Sequence, residues 1–111
     1  MEGSSRILDR IYQVIEDRKT SPPEKSYVAT LLEQGKGSIL DKVVEETGEL
    51  IAGVLNEDRD GIIHEVADLW FHVLVLLGSL DIPPREIYDE LENRWNRPGL
   101  AEKESRNKPD A

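Results

Sequence analysis

Glu65-Val-Ala-Asp-Leu-Trp-Phe-His-Val-Leu-Val-Leu-Leu77 is the stretch on which the architecture of this chain turns. From Val66 to Leu77 the only polar side chains are Asp68 and His72. A run that long and that apolar predicts a helix buried on most sides. Glu65, Asp68 and His72 recur three and four residues apart, which places them on one narrow face. A bare carboxylate inside such a cylinder is strongly unfavourable, so the pattern calls for a cation.

On the N-terminal side, Glu45, Glu46 and Glu49 form Glu-Glu-x-x-Glu in a second helical stretch. Ser38 reads as a capping-box residue with Asp41 in the third position, which opens a helix to about Leu55. Ile39, Leu40, Val43, Val44, Leu50, Ile51, Val54 and Leu55 make its broad apolar band, with Glu46 at the margin. Asn56 to Asp60 reads as a turn in which Asp58 caps the next helix. So short a connection predicts an antiparallel pair. Counted from that turn, Glu49 is level with Asp68, and Glu46 and Glu65 fall within about one or two helical turns of each other. One four-carboxylate site is expected.

The remaining chain is helical as well. Ile7, Ile11, Val14 and Ile15 predict an amphipathic helix from about Ser5 to Arg18. Lys19 to Ser26, with Pro22 and Pro23, reads as a loop. A short helix follows over Tyr27 to Leu32, closed by Gly35 and Gly37. Asp81-Ile-Pro-Pro opens a last helix to about Arg94, and a polar tail from about residue 98 reads as mobile. The expected fold is all-α: one domain over 1–111, a bundle of four to five helices. One chain of this size covers its most apolar helix poorly, so dimerisation through the long antiparallel helices is expected to complete the core, with larger homo-oligomers left open.

The net charge is −9, from 23 acidic and 14 basic residues, which argues against nucleic-acid binding through a basic surface. It leaves polyphosphates open as substrates, because divalent cations bridge them to carboxylates. There is no cysteine, so thiolate metal sites and disulfides are excluded and a reducing compartment is the expectation. The N-terminus shows no secretory signal, and the Val66–Leu77 run is short for a bilayer span. A cytoplasmic location without membrane contact is expected.

Hard oxygen donors suit Mg²⁺, or Mn²⁺, better than zinc or copper. Such ions neutralise a polyphosphate and lower the pKa of an attacking water, while a spare carboxylate serves as base. Blander readings compete. Glu-Glu-x-x-Glu alone is usually a solvated face, and Glu-x-x-Asp can be a structural ion pair. His72 is better read as a hydrogen-bonded core histidine than as a ligand, His64 as inert, and Trp70 and Phe71 as core. A di-iron bundle would use Glu-x-x-His, which this chain lacks. Replacing Asp68 with Asn is expected to stop turnover and relieve charge crowding.

Ser26-Tyr-Val-Ala-Thr-Leu-Leu32, Gly35, Lys42-Val-Val-Glu-Glu-Thr-Gly-Glu49, Glu65 to Leu77 and Gly99-Leu-Ala-Glu-Lys-Glu-Ser-Arg106 resemble the phosphoribosyl-ATP pyrophosphatases. These belong to the all-α NTP pyrophosphohydrolase group that includes MazG, and the likeness spans about Ile7 to Arg106. It implies Mg²⁺-dependent hydrolysis of phosphoribosyl-ATP to phosphoribosyl-AMP and pyrophosphate, the second step of histidine biosynthesis. By motif position Glu46, Glu49, Glu65 and Asp68 would hold metal, and Glu45 would be a further ligand or the base. Lys42 would meet a phosphate. Ser26, Tyr27 and Lys36 would contact substrate from the loop, and Lys103 and Arg106 from the tail. Val44-Glu-Glu-Thr-Gly-Glu49 is closer to the MazG form, and Trp95-Asn-Arg-Pro98 also departs from the pattern. The alternative is therefore a house-cleaning pyrophosphohydrolase acting on (d)NTPs.

Overall fold

The computed structural model describes residues 2–96; the expected tail from residue 98, with Lys103 and Arg106, lies outside the described residues. Among the described residues five α-helices follow in order: α1 Glu2–Arg18, α2 Tyr27–Gln34, α3 Lys36–Leu55, α4 Arg59–Ser79 and α5 Pro84–Asn96, with a short 3₁₀ turn at Pro23–Lys25. No strand occurs among them.

Helices α3 and α4 form the central hairpin, α1 packs along α4, and α2 lies across both long helices. Ile15, Val28, Leu31, Ile39, Leu74 and Val75 form the buried core, with Leu8, Ile11, Leu32 and Phe71 packed against it. Four helices thus share one core. At its α1–α4 contact the helices touch at Gly78, where an added Cβ would lie 2.7 Å from Cγ2 of the fully buried Ile15. Gly78→Val is therefore expected to cost at least about 2 kcal/mol by overpacking. Thermal unfolding should show Tm falling by roughly 8 °C or more; an unchanged Tm would mean that α1 does not approach this closely.

The helix boundaries follow local chemistry, and two differ from expectation. Asp58 does cap α4, accepting from the Gly61 amide at 3.2 Å. The capping box at Ser38 does not form. Instead α3 begins three residues earlier, at Lys36 with Gly35 in the cap position, and Gly37 lies inside it rather than closing α2. Gly35 alone separates the helices, with φ +99° and ψ 178°. That backbone is strained for any residue with a Cβ, and it lets α3 start at once. Helix α5 opens at Pro84, and Lys19 ties the end of α1 to the α4–α5 connection through Asp81 at 2.7 Å.

Helix α4 has 21 residues and a mean hydropathy of 1.5 over its best window, so it is long and apolar enough to cross a bilayer. Its packing against α1 and α3, with His72, Leu74, Val75 and Gly78 buried, is that of a core helix. The burial is nonetheless one-sided: Ile63 and Trp70 are more than half exposed. Helix α3 likewise exposes Leu40, Val44, Ile51 and Leu55, spaced by four, seven and four residues along one stripe. The radius of gyration is 16.7 Å, whereas a self-contained chain of this length gives about 13 Å.

Candidate active site

The α3–α4 turn spans only Asn56–Asp58, so the hairpin register pivots on Glu57. Glu49 and Glu65 each stand eight residues from it, and Glu46 and Asp68 each stand eleven away. The expected pairing of Glu49 with Asp68 is therefore shifted by about one turn, because α4 begins earlier than the sequence suggested.

Two acidic groups result. Oxygens of Glu45, Glu46 and Glu49 lie within 4.8 Å of one another on α3, and ligand atoms of His64, Glu65 and Asp68 do the same on α4. Glu65 joins them. Its carboxyl pKa is raised above the usual 4.5, by burial first, then by the adjacent Glu46 carboxyl and the negative charges of Glu49 and Glu46. Glu46 is buried in the groove between the helices, with 6 % of its surface exposed. Oε1 of Glu46 and Oε1 of Glu65 are both sealed from solvent without a hydrogen-bond partner among the described residues.

Buried carboxylate oxygens without donors are costly. The nearby lysine does not compensate them: Lys42 pairs with Glu45 at 3.3 Å on the exposed side of α3. An all-oxygen donor set of this kind fits a hard divalent cation held between the helices. Charge crowding centres on Glu46 and Glu65 rather than on Asp68. His64 is exposed, as expected, and places Nε2 3.2 Å from Asp68 Oδ2. The i,i+4 spacing of His64 and Asp68 was the signal for that pair.

The other expected site residues are distributed as follows. Ser26 is the N-cap of α2, its Oγ accepting from the Ala29 amide at 3.2 Å. Tyr27, the first residue of α2, meets His72 with Oη to Nε2 at 2.7 Å. His72 is buried, and its Nδ1 donates to the Asp68 backbone carbonyl at 2.8 Å. It is thus a hydrogen-bonded core histidine, as expected. Lys36 is exposed at the start of α3. A separate groove of about 500 Å³, lined by Lys19, Pro23, Leu32, Glu33 and Ser79, opens between α1, α2 and α4 away from the carboxylates. Its lysine is already engaged by Glu16 and Asp81.

Comparison with known proteins agrees with this arrangement. The family described as phosphoribosyl-ATP pyrophosphohydrolase matches residues 8–95. The phosphoribosyl-ATP pyrophosphatase of Geotalea daltonii is 50 % identical over 102 residues, covering 92 % of this chain and 96 % of that protein. The Geobacter sulfurreducens protein of the same name is 49 % identical over 107 residues, covering 96 % and 99 %. That of Nitrosomonas eutropha is 46 % identical over 106 residues, covering 96 % and 91 %. With its helical hairpin, its paired acidic motifs and this near-complete alignment, the chain belongs to the phosphoribosyl-ATP pyrophosphohydrolase family.

Proposed function

We propose that this protein hydrolyses phosphoribosyl-ATP between its α and β phosphates, with Mg²⁺ (or Mn²⁺) held by Glu46, Glu49, Glu65 and Asp68. The observation that carries the reading is the pair of sealed, unpartnered oxygens on Glu46 and Glu65, on facing helices. When bound, the ion supplies charge neutralisation of the polyphosphate and a more acidic water. The chain's own residues do the rest. Water adds to phosphorus, the bridging P–O bond breaks, and pyrophosphate leaves with phosphoribosyl-AMP as the other product. Glu45, on the exposed side of the cluster, is placed to take the water's proton or to act as a further ligand. Lys42, whose ammonium stays charged beside Glu45, meets a phosphate oxygen.

The protein so read is a cytoplasmic enzyme of histidine biosynthesis and a homodimer. The exposed stripe Leu40–Val44–Ile51–Leu55 and the open α4 residues Ile63 and Trp70 support self-association. So does the extended shape of the single chain. A second copy is the natural cover for helices whose free faces are aliphatic.

Purified protein should release pyrophosphate from phosphoribosyl-ATP when Mg²⁺ is present and stop when the metal is chelated. Release from dCTP, dUTP or another ordinary nucleotide but not from phosphoribosyl-ATP would reassign the protein to nucleotide house-cleaning, since the same metal site serves both reactions. Metal-independent release would remove the carboxylate site from the mechanism.

A further inference from the structure

The chain has two histidines, and His64 is the one whose imidazole reaches a carboxylate of the proposed metal site. His72 has both ring nitrogens committed elsewhere, Nε2 to the Tyr27 hydroxyl at 2.7 Å and Nδ1 to the Asp68 backbone carbonyl at 2.8 Å. His64 stands four residues before Asp68 on α4, one turn away on the same side of the helix. Its Nε2 lies 3.2 Å from Asp68 Oδ2. Ligand atoms of His64, Glu65 and Asp68 all fall within 4.8 Å of one another.

Those separations suit a shared cation. On an octahedral ion with bonds of about 2.1 Å, adjacent donors stand about 3.0 Å apart and opposite donors about 4.2 Å apart. His64 and Asp68 are thus already spaced as neighbouring ligands. In the metal-free protein a neutral imidazole fills the same gap by donating Nε2–H to the carboxylate. A bound ion takes the place of that proton. The ring then carries its proton on Nδ1, still neutral, and turns the Nε2 lone pair to the metal.

A second observation draws an ion to this corner. Glu46 is buried in the adjoining groove, and its Oε1 is sealed and unpartnered, as is Oε1 of Glu65, the middle member of the histidine group. The cluster therefore lacks positive charge at its buried end and offers a nitrogen at its open end. There the His64 side chain is 70 % exposed and that of Asp68 39 %. So open a pair contributes little to folding, but it lies where an ion enters from solvent.

We propose that His64 is a nitrogen ligand of the divalent ion held by Glu65 and Asp68, and that it shifts the preference of the site from Mg²⁺ toward a first-row transition-metal ion such as Mn²⁺ or Co²⁺. The inference rests on the reading of the carboxylates as a metal site and narrows the identity of the ion. Mg²⁺ keeps water and oxygen ligands and gains little from imidazole, whereas the contribution of a nitrogen donor grows from Mn²⁺ to Co²⁺.

The test uses the full chain without a histidine tag and compares wild type with His64→Ala and His64→Gln. The glutamine amide still donates to Asp68 but carries no ring nitrogen. Pulsed EPR of the Mn²⁺-loaded wild type should show a directly bonded nitrogen, and both variants should lose it. In calorimetric titrations both variants should bind Mn²⁺ at least about tenfold more weakly and Co²⁺ more weakly still, while Mg²⁺ affinity changes less than about twofold.

Mn²⁺ bound to wild type without a nitrogen signal would overturn the proposal, as would a signal that survives in both variants and so belongs to His72. A His64→Gln protein with wild-type Mn²⁺ affinity would do the same, because His64 would then orient Asp68 through its N–H alone. Equal losses for Mn²⁺ and Mg²⁺ would also count against a nitrogen ligand. Glu65→Gln separates this inference from the reading beneath it, since it should weaken both ions alike. If it weakens neither, or if wild type binds neither ion, the carboxylate site falls and His64 with it. If it weakens both while the nitrogen signal is missing, the carboxylate site stands and His64 has no part in it.

Discussion

Glu65→Gln is expected to lower turnover by more than about a hundredfold and, at the same time, to raise the melting temperature of the metal-free protein. The first effect follows from removing an oxygen of the proposed metal site, since even the outer partners of metal ligands cost about 10- to 100-fold when lost. The second follows from what Glu65 faces. Its carboxylate is pressed against Glu46 and Glu49 in a partly dehydrated groove, so ionising it works against folding. A glutamine keeps the shape, removes a charge and can donate to the unpartnered Glu46 oxygen.

The pH dependence carries the same sign. Glu65 titrates above 4.5 in the folded chain, so between that raised value and 4.5 the folded state holds more protons than the unfolded one. Stability of metal-free wild type should therefore rise as pH is lowered through this window and fall as pH is raised. Glu65→Gln should lack that component. Mg²⁺ should raise the wild-type Tm by binding the folded state alone, and should do so less in the variant. A variant with wild-type turnover and no change in metal-free stability would mean that the acidic motif is an ordinary solvated face.

Ile51→Asp is expected to split the proposed homodimer into monomers. Leu40, Val44, Ile51 and Leu55 lie on the side of α3 away from Lys42, Glu45 and Glu49, and all four are at least 46 % exposed (the most exposed, Leu55, reaches 77 %). Each gains about 1.5–3 kcal/mol when fully covered. An aspartate in the middle of that seam would lose the contribution and leave an unpaired charge to bury. Weakening by at least about a hundredfold should follow, read by analytical ultracentrifugation at micromolar protein. Because the substitution is remote from the carboxylates, Mg²⁺ binding should survive wherever the monomer stays folded. A native protein that already sediments as a monomer, or an Ile51→Asp protein with unaltered assembly, would remove the second copy from the architecture.

Helix content and the identity of the acidic residues were legible in the chain because both depend on local spacing. A period near 3.6 in Ile7–Ile15 and in Ile39–Leu55 marks amphipathic helices whatever they pack against. Asp58 was recognisable as a cap because capping is a contact between near neighbours. The start of α3 was not. Ser38 has the look of a cap, but Gly35 adopts a backbone that allows the helix to begin at Lys36, and a left-handed glycine leaves no trace beyond its own identity. The turn, expected over Asn56–Asp60, in fact ends at Asp58 because α4 starts directly after its cap, and that recentres the hairpin on Glu57.

An all-α chain, its family and the set of side chains from which a cation site could be made all follow from the residues alone. The helices and the acidic set are consequences of periodicity and spacing, and the family of resemblance in the motifs, none of which requires knowing which helix touches which. Packing in three dimensions was needed to establish that Glu65 rather than Asp68 bears the crowding, that His64 stands beside Asp68, and that His72 serves Tyr27 instead of the carboxylates. These depend on relative height and rotation of packed helices, where a shift of one residue, about 1.5 Å and 100°, exchanges one neighbour for another.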